Sequence, residues 1–307
     1  MSTTPLSGRT AIVTGAGAGL GRSEALALAA AGANVVVNDM GPAAEDVVAE
    51  IKALGVGAVA VVGNVADWSM GDRLVEAAVN SFGSLDIVVN NAGITRDTML
   101  FNLSESQWDD VIAVHLKGHA ALSRAAAVHW RAASKAAGEP VYGRVVNTSS
   151  EAFLFGSAGQ PNYSAAKAGI TALTLSTAQG MSRYGVTANA ICPRARTGMT
   201  ENVFDADPNG NELDILAPER VATFVTWLAS PAAAKVNGQV FVVYGDMVAL
   251  MAAPTVEKKF TSTSGVFTAE ELDAQLVPHF ADRSPHQTYA AYSIAELDTT
   301  GVQNLNH

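Results

Sequence analysis

Two hydrophobic rhythms alternate along the chain. Short apolar runs rich in Val and Ile cover residues 10–14, 34–38, 58–63, 87–90, 144–149, 186–192 and 240–244. Between them lie longer stretches at 20–31, 43–54, 68–82, 104 to about 137, 162–184 and 218–229. The short runs predict strands and the longer stretches predict helices. The strand runs are apolar at nearly every position, as in strands covered on both faces. Strand–helix alternation implies right-handed crossovers between parallel neighbours. The expected fold is α/β, a doubly wound seven-stranded parallel sheet with helices on both faces. It forms one domain over residues 1–250, followed by a C-terminal extension over 251–307.

Three segments depart from a minimal sheet. Residues 134–142 are polar and carry Gly138 and Pro140, which predicts an enlarged loop before the fifth strand. Residues 194–214 are rich in Asp, Glu and Asn and follow a strand end, where a mobile lid is expected. In the extension, Thr268-Ala-Glu-Glu271 has the form of a capping box with Phe267 before it, so a helix is predicted to about Phe280. The extension is expected to pack on the core or on a neighbouring subunit.

Composition narrows the function classes. Of the 307 residues 49% are hydrophobic and only 16% charged, which suits a protein with much buried surface, as in an oligomer. A formal charge of −10 argues against nucleic acid and anionic membranes as partners. Cys192 is the only cysteine, so no intrachain disulfide or CxxC metal pattern exists. Its place inside a strand run predicts a packed, buried thiol. Residues 1–8 are polar, with no apolar signal region, and no apolar run approaches the roughly 20 residues of a membrane span. The chain reads as soluble and cytoplasmic.

The chemistry begins at the first strand end. Thr14-Gly-Ala-Gly-Ala-Gly-Leu-Gly21 joins strand to helix. Gly15, Gly19 and Gly21, with Leu20 between them, allow a tight turn and bring the backbone close to a pyrophosphate at the helix N-terminus. The second strand run leads into Asp39. A carboxylate there accepts hydrogen bonds from ribose hydroxyls and repels a 2′-phosphate, so NAD is expected over NADP. A turn or cap residue is the plainer reading of Asp39. Arg22 suits either a 2′-phosphate or an exposed helix face. Asn64 and Val65 follow the third strand and suit an adenine edge. Asn91, Ala92 and Gly93 follow the fourth, where amides and small residues leave room for a ribose.

A second constellation lies downstream. Tyr163 and Lys167 are four apart in a predicted helix, so both side chains leave one face. Ser150 follows a strand run, at the carboxyl end where open α/β sheets place their chemistry. Ser149 is an alternative, though the thirteen-residue interval to Tyr163 favours Ser150. The set suggests a phenol that moves a proton, an ammonium that supports it and a hydroxyl that orients an oxygen. A free phenol has a pKa of about 10, and lowering it to about 7 takes roughly 4 kcal/mol. Lys167 and the positive nicotinamide ring are the expected sources.

Taken together, the loop at Thr14–Gly21, Asn90-Asn-Ala-Gly93, and Ser150 with Tyr163-Ser-Ala-Ala-Lys167 resemble the short-chain dehydrogenase/reductase family over roughly residues 7–250. The resemblance implies a Rossmann-type fold and reversible oxidation of a secondary alcohol to a ketone. Lys167 would also bind the nicotinamide ribose. Val35-Val-Val-Asn-Asp39, Val114-His-Leu-Lys-Gly118 and Gly159-Gln-Pro-Asn-Tyr-Ser-Ala-Ala-Lys167 are similar to the (3R)-hydroxyacyl-CoA dehydrogenase units of peroxisomal multifunctional enzymes, also called type 4 17β-hydroxysteroid dehydrogenases. This implies a 3-hydroxyacyl-CoA substrate with a fatty or steroid side chain, and a homodimer or homotetramer. A 3-oxoacyl-carrier-protein reductase, a steroid or alcohol dehydrogenase, and a non-catalytic NAD(H) sensor are the alternatives.

Two positions depart from the family pattern. His115 stands where many members carry the Asn that holds a relay water, so it reads as a relay group or as a packed histidine. Pro193-Arg194 replaces the usual Pro-Gly, which leaves Thr197 or Thr200 to meet the nicotinamide end, Thr197 being preferred. Lys117, Arg194, Lys258 and Lys259 are the basic residues considered for coenzyme A phosphates.

Overall fold

The computed structural model describes residues 4–198, 200 and 214–297. The strands are β1 (Thr10–Thr14), β2 (Asn34–Asp39), β3 (Ala58–Val62), β4 (Ile87–Asn90), β5 (Gly143–Thr148), β6 (Val186–Pro193), β7 (Val240–Tyr244) and β8 (Met247–Leu250). They form one sheet in the order β3-β2-β1-β4-β5-β6-β7-β8. The first seven are parallel. Strand order reverses between β1 and β4, and this switch point opens a crevice at the carboxyl ends.

The eighth strand corrects the expected seven. It runs antiparallel to β7, with Phe241 opposite Leu250 and Tyr244 opposite Met247. Only four residues long, it alternates half-buried and exposed positions. Its Met-Val-Ala-Leu run is apolar throughout, but it is short and only Gly245-Asp246 separates it from β7, so it merges with the run before it.

Helices α1 (Gly19–Ala30), α2 (Ala43–Ala53) and α3 (Met70–Phe82) follow the first three strands. After β4 come α4 (Glu105–Ile112) and α5 (Gly118–Ala137). Then follow α6 (Glu151–Phe155), α7 (Pro161–Met181), α8 (Pro218–Ala229) and α9 (Ala269–Phe280). Two cores cover the sheet. One joins Leu20, Leu28 and Ile51 to Val35, Val37, Val225 and Leu228. The other joins Leu74, Leu122 and Trp130 to Val36, Val88 and Ala188. Alternate residues of one strand thus enter opposite cores, which is why these strands are apolar throughout.

The single helix expected over 104–137 is interrupted by a π turn over Ala113–Lys117. Its start is a capping box in which Ser104 accepts from Gln107 N and Gln107 reaches back to Ser104 N. The loop expected over 134–142 begins later, since α5 continues to Ala137 and ends on Gly138 at φ 74°. Cys192 is fully buried.

Past β8 the extension forms α9, capped by Thr268, whose hydroxyl accepts from Glu271 N at 3.2 Å. The Glu271 carboxylate also accepts from Ser262 and Thr263, which ties the start of α9 to the segment before it. The extension returns to the core at Ala291, whose amide donates to Leu154 O at 3.0 Å. Ile294 is buried there in one cluster with Leu216, Tyr244, Phe153 and Leu154. Of the lid expected over 194–214, residues 199 and 201–213 lie outside the described residues. Among the described residues no helix is long and apolar enough to cross a membrane.

Candidate active site

The β1–α1 junction forms a cradle with an open helix end. Ala18, the N-cap of α1, offers no side-chain cap, and the first turn holds no acid. The leading backbone N–H groups are therefore left to an anion. Gly15 and Gly19 have φ of 62° and 53°, a region that strains any side chain. A Cβ at Gly21 would stand 2.3 Å from Gly15 O and 2.5 Å from Asn91 Nδ2. Leu20, almost fully buried, anchors the loop from below.

Asp39 closes the far side of this cradle. Its Oδ2 accepts from Gly17 N at 2.9 Å, and its Oδ1 accepts from Met40 N at 2.7 Å. The carboxylate is thus held over the loop, half-buried, at the end of β2. Arg22 is paired with Glu50, its Nε donating to Oε1 at 3.1 Å. Asn91 Nδ2 donates to Thr14 O at 3.1 Å and Gly15 O at 3.3 Å, tying the β4 end to the loop. Ala92 lies against Gly15, and a Cβ there would be 2.8 Å from Ala92 Cα. Asn64 is exposed and its Oδ1 accepts from Ala66 N at 2.9 Å. Val65 packs over Gly118. Thr197 reaches the loop from the other wall, 3.3 Å from where a Gly19 Cβ would be. The Thr200 hydroxyl donates instead to Ala195 O at 2.6 Å. The uncapped helix end, the close-approach glycines and the placed carboxylate fit an adenine dinucleotide.

Beyond Pro193, at the end of β6, the structure brings Ser150, Tyr163 and Lys167 together. Lys167 is 1% exposed, with Nζ donating to Thr148 O at 2.6 Å and lying 5.2 Å from the Tyr163 ring centre. Burial lowers its pKa to about 7. Burial also pushes the Tyr163 phenol up to about 12, and the hydrogen bond from Ser150 opposes this. The protein groups alone therefore do not lower the phenol as expected, because desolvation outweighs the hydroxyl. Ser149 is engaged elsewhere, donating to Lys167 O at 3.0 Å and paired with Thr171 Oγ1 at 2.8 Å.

His115 sits in the π turn, a distortion that recurs at functional sites. Its ring is edge-on to Tyr163 at 5.1 Å. Nε2 lies 3.0 Å from Ile94 N and 2.7 Å from Ile94 O, and Nδ1 is buried without a partner. A Cβ on Gly93 would approach its Cε1 to 2.4 Å, so this glycine is what admits the ring. Burial, assisted by the Lys167 charge, lowers the His115 pKa to about 3. The ring is neutral across the physiological range.

One pair beside the site was not foreseen. Arg194 Nε and Nη2 donate to the two oxygens of Glu151 at 2.6 and 2.7 Å. The guanidinium also lies 4.3 Å from the Tyr244 ring centre. Arg194 is 5% exposed, which removes it from the residues considered for coenzyme A phosphates. Its only signal in the sequence was the break in the Pro-Gly pattern. Lys117, Lys258 and Lys259 are exposed.

A model of the short chain dehydrogenase family matches residues 9–208. The chain is 56% identical over 299 residues to a Mycobacterium tuberculosis protein described as hydroxyacyl-CoA dehydrogenase ChsB1, covering 94% of each. It is 42% identical over 252 residues to a 3-oxoacyl-[acyl-carrier-protein] reductase of Synechocystis, covering 80% of this chain and 99% of that one. A crystal structure of a short chain dehydrogenase from Mycobacterium avium superposes with a TM-score of 0.83 at 48% identity, covering 94% of this chain and 99% of that one. The chain belongs to the short-chain dehydrogenase family, and it is an oxidoreductase that uses a nicotinamide cofactor on a small-molecule substrate.

Proposed function

We propose that the protein is an NAD-dependent dehydrogenase of 3-hydroxyacyl-CoA thioesters carrying a fatty or steroid side chain. The observation that carries the chemistry is the junction of Ser150, Tyr163 and buried Lys167 beside the glycine cradle. The thioester is supported by the 56% identical relative described as a hydroxyacyl-CoA dehydrogenase, which matches 94% of the chain. The carrier-protein reductase leaves about a fifth of this chain unmatched, so the extension favours the first reading.

Gly15, Gly19, Leu20 and Gly21 hold the pyrophosphate, Asp39 the adenosine ribose, and Asn64 with Val65 the adenine side. Asn91, Ala92, Gly93, Pro193 and Thr197 line the nicotinamide half. The bound cofactor supplies the hydride acceptor or donor. In oxidation Tyr163 Oη takes the hydroxyl proton of the substrate as its C–H bond breaks and the carbonyl forms. In reduction the same oxygen returns the proton. Ser150 Oγ donates to the substrate oxygen and fixes its angle. Lys167 holds the nicotinamide ribose and, when charged, favours the phenolate. Neutral His115 orients Tyr163 and the 91–94 loop instead of carrying charge. The same reading includes a homodimer or homotetramer, supported by exposed Val128 on α5 and Leu175 on α7.

The direct test is NADH absorbance with a panel of 3-hydroxyacyl-CoA thioesters, carrier-protein thioesters and free steroids. Tyr163→Phe is expected to abolish turnover while NADH affinity stays within about twofold. Turnover near the wild-type rate would sink the assignment. NADH is expected to bind at least about tenfold more tightly than NADPH, or about 1.4 kcal/mol. Asp39→Ala should erase that preference, and equal affinities in the wild type would remove Asp39 from its role.

A further inference from the structure

Ser150 stands at a weak point of the fold. It is the N-cap of α6, a helix of five residues, and its Oγ accepts from Ala152 N at 3.1 Å. A helix this short does not hold itself in place, because forming the first turn costs more than its few hydrogen bonds return. Its far end is held, since Phe153, Leu154 and Phe155 pack against the cluster of Leu216, Tyr244 and Ile294, and Ala152 O accepts from Ser164 Oγ at 3.1 Å. Its first residue, next to Ser150, needs a tie of its own to fix where Ser150 points.

The Arg194–Glu151 pair meets that need. Glu151 is the residue after Ser150 and the first of α6. Its two oxygens are gripped at 2.6 and 2.7 Å by one planar guanidinium, a geometry that restricts rotation as well as distance. Arg194 is in turn fixed to the sheet. Its amide donates to Val243 O at 3.0 Å, and its guanidinium stacks on Tyr244. The chain of contacts runs from β7 through Arg194 and Glu151 to the backbone of Ser150. A glycine at 194 would remove both of these hydrogen bonds and with them this tie from α6 to β7.

We propose that the Arg194–Glu151 pair is a positioning device that holds Ser150 in register with Tyr163 and the substrate oxygen. This rests on Ser150 and Tyr163 having the roles given above. The pair touches no reacting atom and acts through α6. Because the Ser150 hydrogen bond is what lowers the phenol against its burial, the pair has a readout beyond stability. If Ser150 drifts, the proton-transfer step requires a higher pH in the oxidation direction.

The experiment compares Arg194→Met and the isosteric Glu151→Gln with wild type. The probe is the thioester that wild type oxidises fastest, with 3-hydroxybutyryl-CoA as the default. Rates are expressed per NADH-binding site, counted by fluorescence titration, so misfolded protein does not enter. Both variants are expected to lose about tenfold or more in kcat with NADH affinity within about twofold. The ascending limb of the oxidation pH profile should move up by about half a unit or more. Arg194→Lys, which keeps the charge and loses the fork, should fall between. Unchanged kcat and pH profile per binding site, with only a lower melting temperature, would overturn the proposal. If Arg194→Met does not fold, Glu151→Gln decides by the same criteria. An active Tyr163→Phe control would instead overturn the roles on which the inference rests.

Discussion

At the scale of single residues, buried ionisable groups set the behaviour. Lys167 and His115 could be named from the sequence as members of a motif. Their environment could not, because burial depends on which helices cover them. Glu24 shows the same gap from the other side. It sits in a helix stretch with nothing to mark it, yet it is fully buried and neither carboxylate oxygen has a partner. Burial raises its pKa from 4.5 to about 8. The folded state therefore keeps a proton that the unfolded chain releases first. Stability falls as pH rises from 4.5 to about 8, then levels off, by an upper bound of about 5 kcal/mol. Glu24→Gln is expected to raise the melting temperature at pH 8–9 and change it little near pH 5. Melting curves across that range with the wild-type slope would show that Glu24 is ionised in the folded protein.

At the scale of elements, the strands that lie in both cores were legible and the irregular pieces were not. Uniformly apolar runs such as Val35–Val37 report burial on both faces. β8 has four residues and α6 five, too few for either to leave a periodic trace. No proline marks the π turn over Ala113–Lys117, so the stretch 104–137 reads as one helix. Pro278 lies inside α9, where a boundary is the usual expectation. The β1–α1 junction was the clearest element, because glycine spacing there answers to backbone contacts. Gly21→Ala puts a Cβ against Gly15 O, a backbone atom that cannot yield without opening the loop. NADH affinity is expected to fall at least about tenfold, with a lower melting temperature. Isothermal titration with unchanged affinity would show that the loop relaxes freely.

At the scale of the whole molecule, the extension is tied back to the site it follows. Ile294 packs with Leu216, Tyr244 and Leu154, against the same α6 that begins at Ser150. Ile294→Ala removes buried methyl groups at that seam and should cost about 2–5 kcal/mol. The KM for the thioester should rise while NADH affinity holds, since no residue of the β1–α1 cradle or of β2 belongs to that cluster. Parallel loss of both would place the extension in general stability alone. That this segment returns to α6 carried no signal in the sequence, because long-range docking of a polar, exposed stretch needs only one buried anchor.

The alternation of strand and helix, the glycine-rich β1–α1 loop and the positions of Ser150, Tyr163 and Lys167 were legible in the chain, since each depends on local backbone geometry or fixed spacing. The sequence also marked position 194 as unusual without saying why. Tertiary structure alone decided the eighth strand, the protonation tendencies of Lys167, Tyr163 and Glu24, and the pairing of Arg194 with Glu151 across 43 positions. Burial and ion pairing are properties of neighbours in space, and distance along the chain does not encode them.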